Sequence, residues 1–205
     1  MRDRKKRQDG VLEMCYYGDP VLRQVAKPIV EITPEIRDLA NAMVITMRDE
    51  DGIGLAAPQI GVSLRMFVVE LPLPDRDDEE APPVAFATPG EQMLVPRMPL
   101  AFINPRFTEM SEQEGAYVEG CLSIPGLSAA VDRPDFVTLD ATLLTGEHVH
   151  LRCGGLLARV LQHELDHLDG RLSVDMIHPE DAEILAPKLK KMEQETLKAL
   201  RKKRR

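Results

Sequence analysis

The run His163-Glu164-Leu165-Asp166-His167 restricts what this chain can fold into more than any other feature. It lies between Gly155 and Asp169, where Leu156, Leu157, Val160, Leu161 and Leu168 recur at helical spacing, and Gly170 stands where a left-handed C-cap belongs. Residues four apart on a helix turn through ~400°, so both imidazoles leave one face and can converge on a metal ion. Glu164 sits about 100° around, within reach of water activated there. The alternative is a pair of solvated histidines on a charged face. Against it, Leu156 and Val160 continue the histidine stripe and turn it inward, and buried imidazoles need a partner, which a metal supplies.

Two histidines leave the ligand set short, because a catalytic site takes three protein ligands and keeps one position open. Cys121, Cys153, His148, His150 and Asp175 are the candidates. Cys121 lies in Glu119-Gly120-Cys121-Leu122-Ser123-Ile124-Pro125, between a strand and a proline-enforced turn, where a thiolate can be held rigidly beside free backbone N–H groups. On chemistry alone an ordinary buried cysteine fits that position as well. His148 and His150 have the spacing of a solvated strand face, His178 before Pro179 that of a helix entry, and Cys15 and Cys153 read as small hydrophobes.

The block Gly52-Ile53-Gly54-Leu55-Ala56-Ala57-Pro58-Gln59 follows a helix and has neither the lysine nor the spacing of a phosphate loop. Two glycines between bulky aliphatics mark backbone that approaches something closely, and Gln59 would offer an amide donor to a developing oxyanion. An ordinary helix-to-strand turn explains the block equally well.

Around these blocks, Thr33-Pro34-Glu35 opens a helix whose apolar face is Ile36, Leu39, Ala40, Met43, Val44 and Met47. Strands are expected at 64–70, 100–104, 116–122, 136–144 and 147–152, with a last helix over about 180–201 that Pro187 starts or kinks. Residues 72–99 hold seven of the sixteen prolines and the acidic run Asp77–Glu80, and read as a long surface loop. Strands and helices segregate, which favours α+β, with antiparallel or mixed sheets around the histidine helix between an N-terminal and a C-terminal helix. The expected organisation is a basic extension over 1–16, a catalytic domain over 17–178, and a C-terminal helix with a basic tail over 179–205.

With 43% hydrophobic and 29% charged residues the chain is globular in composition. No apolar run approaches the ~18–20 residues that cross a bilayer, and three cysteines make no even disulfide framework, so a reducing cytoplasm is expected. Residues 1–10 carry five basic and two acidic side chains and 188–205 nine and two, so the total of −8 leaves −18 on the stretch between. Such an acidic body is a poor DNA-binding surface.

Taken in order, the three blocks closely resemble peptide deformylase, whose pattern is Gly-x-Gly-x-Ala-Ala-x-Gln, then Glu-Gly-Cys-x-Ser, then His-Glu-x-x-His; all three are complete, over a resemblance from about Tyr17 to Ile177. The resemblance implies a hydrolase that removes the formyl group from formyl-methionine at the start of nascent chains. By motif position it makes Cys121, His163 and His167 the metal ligands, Glu164 the general acid/base, and Gln59 with the Leu122 N–H the oxyanion donors. In that family the ion in cells is usually Fe(II), with zinc or nickel able to take its place. Close backbone at Gly52 and Gly54 would exclude acyl groups larger than formyl. Ile53, Leu127, Leu156 and Val160 would receive the methionine side chain, and Glu119 and Gly120 would border the substrate. Glu119 and Arg133 are expected to brace the Cys121 segment, the alternative being an exposed pair worth under ~1 kcal/mol. Asp166 is expected to fix an imidazole or a nearby arginine.

The long 72–99 stretch departs from the common pattern, outside the motifs. The tail Arg201-Lys202-Lys203-Arg204-Arg205 reads either as a transient contact to the ribosome or, the favoured reading, as a solvated helix end.

Overall fold

In a computed structural model, which describes residues 10–73 and 86–203, the helix expected after Thr33 forms as α1 (Pro34–Asp49). Pro34 occupies its first turn as expected, but Thr33 caps by position only, its side chain accepting no helix N–H. The strands β1 (Gly54–Ala56) and β2 (Met66–Val69) follow. The 72–99 stretch is not a loop throughout. Residues 74–85 lie outside the described residues, whereas Pro89–Leu94 form a short helix, α2. Its cause was present in Thr88-Pro89-Gly90-Glu91: the Thr88 hydroxyl accepts from the Glu91 N–H at 3.3 Å while the Glu91 carboxylate accepts from the Thr88 N–H at 3.0 Å.

Then come β3 (Leu100–Met110), β4 (Glu114–Gly120), β5 (Ser128–Pro134), β6 (Val137–Leu143), β7 (His148–Cys153), α3 (Gly155–Leu168) and α4 (Pro179–Lys203). The third strand does not end at Asn104-Pro105 as expected. Asn104 takes a positive φ of 49° and its amide bonds both the N–H and the C=O of Ile29, so the register slips between Ile103 and Arg106 and the strand continues. Gly170 has the left-handed φ of 72° expected of a C-cap, and Pro187 lies inside α4 rather than at its start.

Five strands pair antiparallel in the order β1-β2-β3-β6-β7, and β4 with β5 form a separate hairpin. Period-2 alternation divides the large sheet: Met66, Val68, Ala101 and Ile103 pack toward α1, Phe67, Val69 and Phe102 toward α3. Phe67 and Phe102 are register partners with ring centres 5.3 Å apart, both fully buried, and side chains of this size contribute about 1.5–3 kcal/mol each by burial. Leu12, Met14 and Tyr16 pack in the α1 layer, while Leu185 and Leu189 of α4 cover a third cluster around Leu22, Cys121 and Ile124. The α+β architecture around a central helix is therefore as the sequence implies. No described helix is long and apolar enough to cross a membrane.

Candidate active site

From Leu157 to Leu168 every residue of α3 except Arg159 is at least nine-tenths buried or close to it, because sheet and hairpin enclose the helix from two sides. Leu157, Leu161, Leu165 and Leu168 face the sheet core. The neighbouring stripe of Leu156, Val160, His163 and Glu164 faces a cavity of about 900 Å³. The expected inward turn of that stripe holds at Val160 and His163, whereas Leu156 stays half exposed at the rim.

The turn after β4 brings up Cys121, closed by the Ile124 N–H donating to the Cys121 carbonyl at 2.9 Å. The Cys121 Sγ lies 3.3 Å from His167 Nε2, and the donor atoms of Cys121, His163 and His167 all lie within 4.8 Å of one another. Among the described residues this is the group that could hold a metal. The other candidates for the third position are elsewhere: His148 and His150 flank Asp140 on an exposed strand face, Asp175 pairs with Arg23, and Cys153 is buried in the main core. His178, at the entry to α4, meets Asp132.

His163 Nδ1 lies 2.9 Å from Glu119 Oε2, and because a carboxylate only accepts, that nitrogen donates and Nε2 is the one that remains to meet Cys121 or a metal ion. One thiol and two imidazoles suit a divalent transition ion. Burial alone would lower His163, but its contacts with Cys121 and Glu119 outweigh that and raise it to about 10, so a cation that takes Nε2 displaces a proton. His167 is pushed well below its ordinary value by burial.

The Glu119 carboxylate is itself braced, from Arg133 Nε at 2.6 Å and Nη2 at 2.9 Å, and Arg133 Nη1 goes on to Asp166 at 2.7 Å. Burial would raise Glu119, but the hydrogen bonds and charges of His163 and Arg133 hold it at about 2. With side chains only 5% and 6% exposed, Arg133 and Glu119 are not the weak surface pair of the alternative reading. Asp166 serves this arginine, not an imidazole.

After β1, a 3-10 turn over Ala57–Ile60 folds Gln59 back, and the Ala56 N–H donates to Gln59 Oε1 at 2.8 Å. That bond orients the amide so that Nε2 points to Ser123 Oγ at 3.3 Å and Cys121 Sγ at 3.7 Å. Glu164 is fully enclosed, its Oε2 without a hydrogen-bond partner among the described residues, as is His167 Nδ1. Burial, opposed by the charges of His163 and Arg133, pushes the Glu164 carboxyl up to about 7. Gly52, Ile53, Gly54, Glu119, Gly120, Leu127, Leu156 and Val160, all expected at the substrate site, line the cavity together with Gln59, Cys121, Leu122, His163 and Glu164.

Ser123, Arg159 and Tyr117 are among the residues at the site that went unforeseen. Ser123 meets the Gln59 amide and stands inside the cysteine block; Arg159 reaches Glu119 and stands four before His163, hence on its face; Tyr117, on β4, lines the cavity with nothing in its local sequence to single it out. Burial pushes the thiols of Cys15 and Cys153 up to about 12. Iodoacetamide at pH 8 is therefore expected to leave both unmodified in the native protein and to modify both after denaturation, read by peptide mass; native labelling at either would contradict the packing.

A cysteine and two histidines converging on a His-Glu-x-x-His helix, with a deep cavity over them, define a metal-dependent hydrolase. The polypeptide deformylase family model matches residues 11–183. A peptide deformylase of Picosynechococcus sp. is 41% identical over 180 residues, covering 88% of this chain and 86% of that protein. Peptide deformylase 2 of Gloeobacter violaceus is 45% identical over 172 residues, covering 84% and 81%. The crystal structure of a Synechococcus elongatus peptide deformylase in complex with actinonin superposes with a TM-score of 0.72 at 36% identity, covering 91% of each chain. The chain belongs to the peptide deformylase family.

Proposed function

We propose that Cys121, His163 and His167 hold one divalent metal ion beside which Glu164, Gln59 and the Leu122 N–H carry out removal of the formyl group from formyl-methionine at the start of nascent polypeptides, releasing formate. Deformylation is the activity of the family to which the chain belongs. Fe(II) is the ion proposed in cells, with Zn(II) or Ni(II) taking the same donors in purified protein. When bound, the cation supplies a Lewis acid that activates water and polarises the formyl carbonyl. The observation that carries this reading is Glu164: a buried carboxylate with one oxygen unpartnered among the described residues, lining the same cavity as Cys121, His163 and Gln59.

The protein's own groups then have distinct tasks. Glu164 takes a proton from the attacking water and later delivers it to the departing amine. Gln59 Nε2, oriented by Ala56, donates to the oxygen as it gains charge; the Leu122 N–H, which no loop hydrogen bond among the described residues uses, is the second donor. The Glu119 carboxylate keeps His163 in the tautomer that presents Nε2. Because β1 is an edge strand, Ile53 and Gly54 can pair with an extended peptide lying between β1 and β4, while Leu127, Leu156 and Val160 give the methionine an apolar surface. At Gly54 the backbone lies so close to Glu164 that a Cβ would clash with the carboxylate, and this closeness is what would restrict the acyl group to formyl.

The catalytic unit proposed spans 17–178, with Leu12, Met14 and Tyr16 of the preceding extension packed into its α1 layer and the C-terminal helix and tail over 179–205, and the cytoplasm, where formylated chains emerge, is its proposed place. The basic tail continues α4 through Lys203. A transient ribosome contact through it predicts weaker, less salt-sensitive co-sedimentation after truncation past Leu200; unchanged binding removes that contact. The experiment for the activity itself is formate release by anaerobically prepared Fe(II) protein from a formyl-Met tripeptide and its acetyl counterpart. Release from the first alone is expected; cleavage of unformylated peptides instead would make the chain a peptidase.

A further inference from the structure

The cavity wall facing β1 is the β4–β5 hairpin, which pairs with neither edge of the five-stranded sheet. What ties it to α3 is a set of polar contacts from residues 159, 162, 163 and 166, spaced to share one helix face. Gln162 Nε2 donates to the Pro134 carbonyl at 3.0 Å, His163 meets Glu119, and Asp166 accepts from Arg133. Among these, Arg159 alone reaches the backbone of both strands. Its Nη2 donates to the Gly115 carbonyl on β4 at 2.6 Å, and its Nη1 to the Val131 carbonyl on β5 at 2.8 Å and to Glu119 Oε1 at 3.0 Å. The guanidinium carbon also lies 4.7 Å from the centre of the Tyr117 ring, and the side chain is 12% exposed at the cavity wall.

We propose that Arg159 is a positioning residue that joins two parts of the reaction. Through the two carbonyls and Tyr117 it holds the hairpin at a fixed distance from α3, and so sets the width of the groove in which the peptide lies. Through Glu119 it braces the carboxylate that orients His163. A planar guanidinium can bridge three acceptors on different strands in one plane, and a lysine ammonium at the end of a flexible stem cannot. The two tasks are therefore separable by substitution. Arg159→Lys keeps a cation beside Glu119 but does not span both carbonyls; Arg159→Leu keeps neither.

The kinetic half of this inference rests on the deformylase reading, and the metal half does not. In the full-length protein, Zn(II) affinity is measured by chelator competition without substrate, and kcat and KM with a formyl-Met tripeptide. Arg159→Leu is expected to bind Zn(II) more weakly, by less than the about 10-fold or more that losing a direct partner of a metal-ligating histidine costs, because Arg133 still holds Glu119, and to raise KM. Arg159→Lys is expected to recover the affinity while KM stays raised with kcat little changed. Both variants keeping wild-type affinity and KM, with only the melting temperature lowered, would reduce Arg159 to a structural tie and overturn the proposal. Should Arg159→Leu not fold, the split between affinity and KM in Arg159→Lys decides. A wild-type protein that releases no formate would sink the deformylase reading while the Zn(II) comparison still judges the brace on Glu119.

Discussion

Glu164→Gln is expected to lower formate release by about 10²–10⁴ while the protein keeps its metal, because it removes the group proposed to accept and return the proton and leaves every proposed ligand in place. The structure explains why this side chain suits the task. Glu164 is enclosed, one of its oxygens has no hydrogen-bond partner among the described residues, and burial lifts its carboxyl to about 7, so at neutral pH it is poised to take a proton and to give it back. Glutamine preserves its shape without its basicity. Turnover and metal content measured on one preparation check this. Wild-type turnover would place the base elsewhere, and loss of the metal would make Glu164 a ligand.

Gly54→Ala is the second substitution with a large expected effect, and its cause is steric. A Cβ on Gly54 would stand 2.3 Å from Glu164 Oε1, 2.8 Å from its Cδ and 2.9 Å from Val160 Cγ2. The carboxylate ends a flexible side chain and can shift toward the cavity, and Val160, β-branched on a buried helix, must give slightly, so the protein is expected to fold with some loss of stability. A displacement of that size moves the base out of line with water and substrate, and misplacements of about 1 Å lower turnover by about 10². The expected result is kcat reduced by about that factor with a modest fall in melting temperature; an alanine variant with wild-type kcat would show that Gly54 does not constrain the base. Gly52 meets the same limit against Leu122, 2.7 Å from its Cδ1, so both glycines of the block answer to close approach and not to turn geometry.

The parts of this molecule written in local sequence are those with a strong period or a strong chemical coincidence. The α3 helix and its two histidines fall in the first group, since four-residue spacing fixes a face whatever surrounds it. The place of Cys121 beside the two histidines does not, because a cysteine after a strand looks the same whether it packs or binds; only the long-range approach of the β4 turn to α3 separates Cys121 from Cys153. The β5 strand escaped notice for a related reason. Ser128-Ala129-Ala130 has little intrinsic preference for a strand, and its pairing with Glu119 and Val118 supplies what propensity lacks. The α2 helix was concealed by the prolines around it, although its capping pair was in plain view. Arg159 shows the remaining gap: helical spacing places it on the histidine face, but its three acceptors lie 28 to 44 residues away, and no local pattern announces contacts at that distance.

X-ray absorption of the Fe(II)- or Zn(II)-loaded protein tests the central claim most directly, since it reads the atoms bound to the ion without reference to turnover. One sulfur and two imidazole nitrogens per ion are expected, with the sulfur lost in Cys121→Ala. A spectrum without sulfur, or one that Cys121→Ala leaves unchanged, would contradict a site built from Cys121, His163 and His167.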